Sequence, residues 1–389
     1  MMHVLFLPKW YPNEYDPFDG NFIENHAHAI KRKVNVSVLF VHSEANCPTT
    51  YRFEKRENKG IQELLVFFKK PNTGINPLNK LIAFFRYKKA QKLGYQRLFK
   101  ENSKPDLVHI HVLSRPAFLA LWLKQKFAIP FVITEHWTGY LESNGKYRGF
   151  LKKKFTEYVV KKANRVHTVS TQLKEAMISH HLINQYEIIP NVVDTEIFKP
   201  IDRHNEVPEI IFVGNLLQTP KRILDIIQGM KALKDAGENF LLSIYGEGKD
   251  ESKAKQLVNK LNLNPEISFK GTANREEIGK AMASADFLIL FSSFENQPCV
   301  IAEAHAAGIP IIVPDLPGIS ELMKPELGII VKTNDQVDFE KALLLMVQSY
   351  KSYNTASIRK YGLQLFGEEE IANRFLQFYQ TALKMSKQA

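Results

Sequence analysis

Glu295 and Glu303 stand eight positions apart in Phe294-Glu295-Asn296-Gln297-Pro298-Cys299-Val300-Ile301-Ala302-Glu303. The apolar run Asp286–Phe291 before them reads as a strand, so Glu295 falls in the loop at its carboxyl end. The amides of about Gln297 to Val300 then open the next helix. Unpaired N–H groups and the helix dipole make such a start attractive to an anion such as a phosphate. Carboxylates beside an anion site are useful where they accept hydrogen bonds from sugar hydroxyls. The same pair also fits two solvated acids placed for the dipole. A second cluster, Phe212-Val213-Gly214-Asn215 through Thr219-Pro220-Lys221-Arg222, ends a strand at a glycine, and Pro220 suits a first helical position. Lys221 and Arg222 then lie in a first turn, where cations are unfavourable unless a polyanion binds there. A solvated loop end is the plainer reading.

The first half offers Asp19-Gly20-Asn21-Phe22, closing the first strand–helix loop, where Gly20 would let the backbone approach a ligand. His109 and His111 alternate on one strand face, and His136 in Ile133-Thr134-Glu135-His136-Trp137 sits where a strand runs out. No carboxylate or thiol spacing accompanies these histidines, so no metal site is expected. A structural imidazole is a serious alternative for His109; a functional role fits His136 better.

The elements that must hold these residues are short apolar runs alternating with helical patterns. Strands are predicted at Val4–Leu7, Val36–Val41, Leu64–Phe68, Leu107–His111, Phe131–Thr134 and Arg165–Val169. In the second half they are Glu209–Gly214, Phe240–Gly246, Ile267–Gly271, Asp286–Phe291, Ile309–Pro314 and Leu327–Val331. Helices fit Phe22–Lys33, Leu78–Lys100, Pro116–Lys126 and Tyr147–Ala163. Continuous apolar strands between helices imply parallel sheets covered on both faces, with ligands beyond the strands' carboxyl ends. The fold class expected is α/β: two facing Rossmann-like, doubly wound domains of residues 1–198 and 199–367, with a final helix, 368–389, crossing back to the first.

The chain has 389 residues and a net charge of +11. Residues 1–195 hold 30 basic and 16 acidic side chains, the remainder 22 and 25, so the positive excess belongs to the first half. Its longest apolar run, Ala117–Leu123, is far short of the ~20 residues that span a bilayer. The start has no basic stretch before its apolar residues and reads as a strand, not a secretion signal. Cys47 and Cys299 stand far apart, which excludes a disulfide scaffold or zinc ribbon and suits a reducing compartment.

Taken together, the motifs resemble glycosyltransferase family 4, whose members are retaining and have the GT-B fold. The resemblance runs in order along nearly the whole chain. It takes in Gly20-Asn21, Thr134-Glu135-His136, Val169-Ser170, Ile189-Pro190-Asn191-Val192-Val193-Asp194 and Phe198-Lys199-Pro200. It continues through Val213-Gly214, Lys221, Tyr245-Gly246-Glu247-Gly248, Phe269-Lys270-Gly271, Glu295 to Glu303, Gly308-Ile309-Pro310 and Gly318 to Glu321. What it implies is a nucleotide-diphosphate sugar held mainly by the second domain, and no further cofactor. Glu303 would bond the ribose hydroxyls and Glu295 the transferred sugar. Gly214, Asn215, Lys221, Arg222, Gly246, Gly271, Asn296, Gln297, Pro298, Cys299 and Val300 would surround the donor, with Lys221 neutralising the diphosphate. Gly20 and Asn21 would approach from the first domain, and His136 would sit by the sugar and the incoming hydroxyl. No Asp-x-Asp triplet occurs, consistent with metal-independent transfer. Asn215 stands where the family often has Arg, and Arg222 where Gly is usual, so Arg222 either compensates or points away. Gly-Asn replaces a common Gly-Gly in the first loop, and Pro298 a frequent Gly.

Basic residues interleave with aromatics in Leu78–Lys100 and in Tyr147–Arg165. Such helices can simply cover a sheet, or lie on an anionic membrane. With the charged first half they suggest a cytoplasmic enzyme, peripheral at the inner face of the plasma membrane, acting on a glycan or lipid-linked acceptor in cell-surface polysaccharide, lipopolysaccharide or glycolipid synthesis. No nucleic-acid motif is present. A sugar-nucleotide epimerase of the same fold and a non-catalytic sugar-nucleotide or glycan-binding protein are the alternatives.

Overall fold

The computed structural model describes residues 1–100 and 104–388. The chain divides into two compact units, Met1–Pro190 together with the helix from Ile371, and Asn191–Glu370. In the first unit the strands are β1 (His3–Pro8), β2 (Asn35–Glu44), β3 (Tyr51–Asn58), β4 (Ile61–Lys69), β5 (Leu107–His111), β6 (Phe131–Glu135), β7 (Arg165–Thr168) and β8 (Tyr186–Ile188). They form one sheet in the order β3-β4-β2-β1-β5-β6-β7-β8. Every pair is parallel except β3 with β4.

β3 and β8 depart from the predicted set. The sequence of β3, Tyr-Arg-Phe-Glu-Lys-Arg-Glu-Asn, alternates charge and carries no apolar run, because it is an antiparallel edge with one face open to water. β8 is three half-buried residues at the opposite edge. The helices stand where they were expected, at Asn21–Ile30, Asn76–Leu98, Ala117–Phe127 and Phe150–Lys162. The last begins beyond Tyr147 because Gly149, at φ 99°, breaks the chain direction just before it.

The second unit adds β9 (Glu209–Val213), β10 (Leu241–Tyr245), β11 (Ile267–Gly271), β12 (Phe287–Ile289), β13 (Ile311–Pro314) and β14 (Gly328–Val331). All are parallel, in the order β11-β10-β9-β12-β13-β14. That is the Rossmann order, which reverses between β9 and β12. Successive residues of β9 alternate between two cores: Ile210 and Phe212 pack with Ile223, Met230 and Phe339, and Ile211 with Leu288, Ile301 and Ile309. Both faces are therefore dry, which is why these strands read as unbroken apolar runs.

The boundary lies at Pro190 and not at 198, and the return to the first unit at Ile371 and not at 368. The Val193 amide donates to the Phe366 carbonyl at 2.9 Å, and Phe198 is buried in the second unit's core, so residues 191–198 fold with the second unit. The closing helix, Glu368–Gln388, buries Ile371, Phe375, Phe378, Tyr379 and Ala382 along one stripe. The Phe375 ring packs against the imidazoles of His26, His109 and His167, with centroids 5.0–5.8 Å away. Phe375→Ala is expected to lower the unfolding free energy by about 3–5 kcal/mol, against under about 0.5 for the exposed Lys384→Ala, as read by urea denaturation of the full chain.

Candidate functional site

The reversal between β9 and β12 leaves a crevice beyond their carboxyl ends. Lys221 follows β9, Glu295 follows β12, and the Lys221 ammonium donates to Glu295 Oε1 at 2.6 Å. Their side chains are only 16% and 14% exposed, so each charge is largely out of water and held by the other.

Three loops around this pair are stitched by main-chain bonds. Gly214 N–H donates to the Tyr245 carbonyl, Leu216 N–H to that of Glu247 and Gly246 N–H to that of Gly271, all at 2.8–3.0 Å. Gly246, at φ 124°, lies so close to Gly214 that any Cβ would strike the Gly214 carbonyl oxygen. It is a packing glycine between two loops. Gly271, at φ 72°, meets nothing nearby.

The helix after β9 begins at Ile223 and not near Pro220, so Lys221 and Arg222 precede it. Gln218 sets this start: its side-chain oxygen accepts from the Leu224 amide, and its own amide donates to Asp250 Oδ2. Arg222 is the residue before the helix, at φ 54°. Its guanidinium bonds Asp225 at 2.7 Å and Asn334 at 3.0 Å, and lies 4.3 Å from the centre of the Phe291 ring. Of the two alternatives for Arg222, the structure shows a charge already neutralised by Asp225. Asn215 is exposed.

After β12, Cys299–Ala307 forms the helix with Pro298 at its cap. Pro298 has no N–H, and the Ile301 amide bonds the Pro298 carbonyl, so the expected row of amides is interrupted at Pro298 and its helical part is Cys299 and Val300. Asn191 holds two oxygens of Gln297: the side-chain oxygen accepts from the Asn191 amide and the carbonyl from the Asn191 side chain, while the Gln297 side-chain nitrogen is buried without a hydrogen-bond partner. Asn296 beside it is buried. Burial pushes the Cys299 thiol up to about 12, so it is no nucleophile at neutral pH. Burial likewise pushes the Glu303 carboxyl up to about 7, opposed by Arg275. Arg275 was not singled out from the sequence. It opens the helix Arg275–Ser284 just after β11, again a cation in a first turn, and that anomaly could have revealed it.

In the first unit, Gly20 caps the helix Asn21–Ile30 at φ 67°, but its bare Cα faces the Trp10 backbone and not open space. The close approach expected for a ligand is thus made by the chain itself. His136 follows β6 and is 9% exposed. Glu135 builds the turn that presents it: wholly buried, it accepts N–H bonds from Leu113, His136 and Trp137, each at 2.9 Å. His109 has the structural role, bonded to Tyr379 Oη at 2.7 Å and to Thr134 Oγ1 at 2.5 Å.

Two parallel-sheet units of Rossmann order in one chain define the GT-B class. The match to known families is in keeping. Residues 20–197 match the model described as Glycosyltransferase Family 4, and residues 193–362 that described as Glycosyl transferases group 1. The chain belongs to glycosyltransferase family 4. It is 24% identical over 347 residues to an uncharacterized glycosyltransferase of Methanocaldococcus jannaschii, covering 89% of this chain and 90% of that one. It is 27% identical over 267 residues to the UDP-Gal:alpha-D-GlcNAc-diphosphoundecaprenol alpha-1,3-galactosyltransferase of Escherichia coli, covering 64% and 68%. In fold it is similar to Anabaena HepE, solved in complex with UDP-glucose, with a TM-score of 0.70 at 14% identity over 98% of this chain and 100% of that one.

Glu303 carries a stability cost with a defined pH range. Its folded pKa of about 7 exceeds the ordinary value of 4.5, so the folded chain holds this proton more tightly than the unfolded one. The cost therefore grows as pH rises from 4.5 to 7 and is complete above that. Glu303→Gln is expected to stabilise the chain by up to about 3 kcal/mol at pH 8 and by less than about 1 at pH 5, measured by denaturant unfolding at the two pH values.

Proposed function

We propose that this glycosyltransferase moves a sugar, with retention of anomeric configuration, from a nucleotide-diphosphate sugar to a glycan or lipid-linked acceptor of the cell surface. The observation that carries the reading is the Lys221–Glu295 pair at the strand-order reversal of the second unit. A diphosphate arriving there competes with Glu295 for the Lys221 ammonium, and the carboxylate so released accepts hydroxyl protons from the sugar. Glu303 serves the ribose hydroxyls, and the Cys299 and Val300 amides add positive potential. Gly214, Gly246 and Gly271 hold the loops around the donor. The acceptor hydroxyl bonds to the anomeric carbon on the face the phosphate leaves. The carbon–oxygen bond to phosphate breaks, and the hydroxyl proton passes to the departing phosphate oxygen. Positioning and leaving-group stabilisation supply the catalysis, with Lys221 in the part a metal plays elsewhere. The UDP-glucose complex of HepE and the name of the Escherichia coli galactosyltransferase support a UDP-sugar as the first donor to test.

With a matched donor and acceptor, Lys221→Ala is expected to lower kcat/KM by roughly 100- to 1000-fold, the range for losing one preorganised donor to developing charge. Product analysis by mass spectrometry gives the check. Nucleotide-sugar interconversion without a transfer product would overturn transfer in favour of epimerisation, and full activity in Lys221→Ala would remove the site from the second unit.

No helix among the described residues is long and apolar enough to cross a membrane. We place the acceptor at a membrane surface on the strength of one patch. Phe150 and Leu151 are exposed beside Lys152, Lys153 and Lys154, and Ile75, Leu78, Leu81 and Phe85 beside Lys80. The ring contacts Phe84–Phe118 and Phe118–Phe155, at 5.1 and 4.7 Å, join the two basic helices through Ala117–Phe127. Sedimentation with phosphatidylglycerol vesicles is expected at low salt. It should fall as salt rises and weaken in the double variant Phe150→Ser, Leu151→Ser; absence of binding at low ionic strength would refute the placement.

A further inference from the structure

The first unit buries a layer of imidazoles that divides into two kinds. His109 and His167 have both ring nitrogens engaged: His109 by Tyr379 and Thr134, His167 by Thr134 and the Ile189 carbonyl. His26 and His111 are just as buried, at 0% exposure, yet no hydrogen bond within normal limits reaches any of their four ring nitrogens. Buried polar atoms left unpaired cost roughly 1–3 kcal/mol each, so such a concentration calls for a ligand.

His136 completes the set. His26 comes from the helix Asn21–Ile30, His111 from the end of β5 and His136 from just beyond β6. One nitrogen from each lies within 4.8 Å of the other two. The ring centres form a near-regular triangle of 5.6, 6.1 and 6.4 Å. A tetrahedral ion with Zn–N bonds of about 2.0–2.1 Å would draw such centres to roughly 5 Å, a closure within reach of small side-chain rotations.

We propose that His26, His111 and His136 form a binding site for a borderline divalent transition cation such as Zn²⁺, with water in the fourth position. Three neutral nitrogen donors and no oxygen donor favour Zn²⁺, Co²⁺ or Ni²⁺ over Mg²⁺ or Ca²⁺. Burial holds all three imidazoles well below their ordinary pKa and so in the neutral, ligating form. His136, the least buried of the three, marks the side from which ion and water enter. Once bound, the ion ties the first helix to two central strands and fixes the orientation of His136. The expectation from the sequence was no metal. The three ligands lie 85 and 25 residues apart, and no sequence spacing brings them together.

The test uses the full chain, stripped with a chelator and then titrated with Co²⁺. One equivalent is expected to bind with the intense visible bands of a tetrahedral site, and equimolar Zn²⁺ should displace it and raise the Tm. His26→Gln and His111→Gln are each expected to weaken Co²⁺ binding by more than the roughly 10- to 100-fold that losing a supporting partner costs. His305→Gln, a lone buried imidazole of the second unit whose nitrogens are also unpartnered, is expected to change nothing. A wild-type chain with no visible bands and no Zn²⁺-dependent Tm shift would overturn the site, as would unchanged binding in either of the first two variants. No sugar donor enters the experiment, so its failure would leave the reading of the second unit untouched.

Discussion

A parallel sheet ends every strand with carbonyls and loops on one edge, and at that edge the second unit must hold charge with little water. The Lys221–Glu295 pair meets this constraint. Two ions taken mostly out of solvent are tolerable because each is the other's counter-ion at 2.6 Å, and removing either strands its partner. The surrounding loops keep the geometry: Gly246 has no side chain because the Gly214 carbonyl occupies its place, and Gln218 and Asp250 pin the turn that presents Lys221. Glu303 has weaker compensation, with Arg275 only partly offsetting its burial. The site thus holds one matched charge pair and one carboxyl whose pKa burial raises to about 7. Ionising that carboxyl is costly for the folded chain.

The α/β class and the strands around the site were legible because strands buried on both faces must be apolar throughout. β5 was read at its true limits, Leu107–His111, for this reason. β3 was not, since an antiparallel edge carries charge, and nothing local marks Tyr51–Asn58 as a strand until Ile61–Lys69 is beside it. Among site residues, Glu295 lies in the loop at a strand's carboxyl end as expected, whereas Lys221, expected in a first helical turn, precedes the helix, and the pairing of the two was not legible. Gln297 and Gly20 show packing roles that the sequence does not display. A polar side chain or a missing Cβ serves a ligand or the chain's own packing equally well, and only the partner decides. For Gln297 that partner is Asn191, and for Gly20 it is the Trp10 backbone. Arg275 carried a usable signal, a cation against a helix dipole, the same one that drew attention to Lys221.

The closing helix shows how a distant segment can complete a core. Its apolar stripe would be exposed without the first unit, and the first unit's imidazole layer would be open without the stripe. The Tyr379 hydroxyl settles His109 by bonding Nδ1, and Thr134 then links His109 to His167, so one side chain from the closing helix anchors a chain of bonds across three strands. Buried polar groups satisfied in this way specify a single arrangement, because any shift breaks more than one bond.

The basic excess of the first half is likewise not a uniform film. Arg52 is paired with Glu14, Glu44 and Glu54, Arg56 with the buried Glu63, and Lys9 lies against the Trp10 and Trp137 rings. The two arginines are paired within the unit and add little to its outer field. Lys152, Lys153 and Lys154 are exposed beside bare Phe150 and Leu151, although Lys154 pairs with Glu157 and Lys152 lies over the Trp137 ring. Charge alone would attract any polyanion. Charge next to unburied aromatic and aliphatic surface suits an anionic surface with an apolar interior, and that combination, more than the net +11, is the ground on which a membrane surface is proposed.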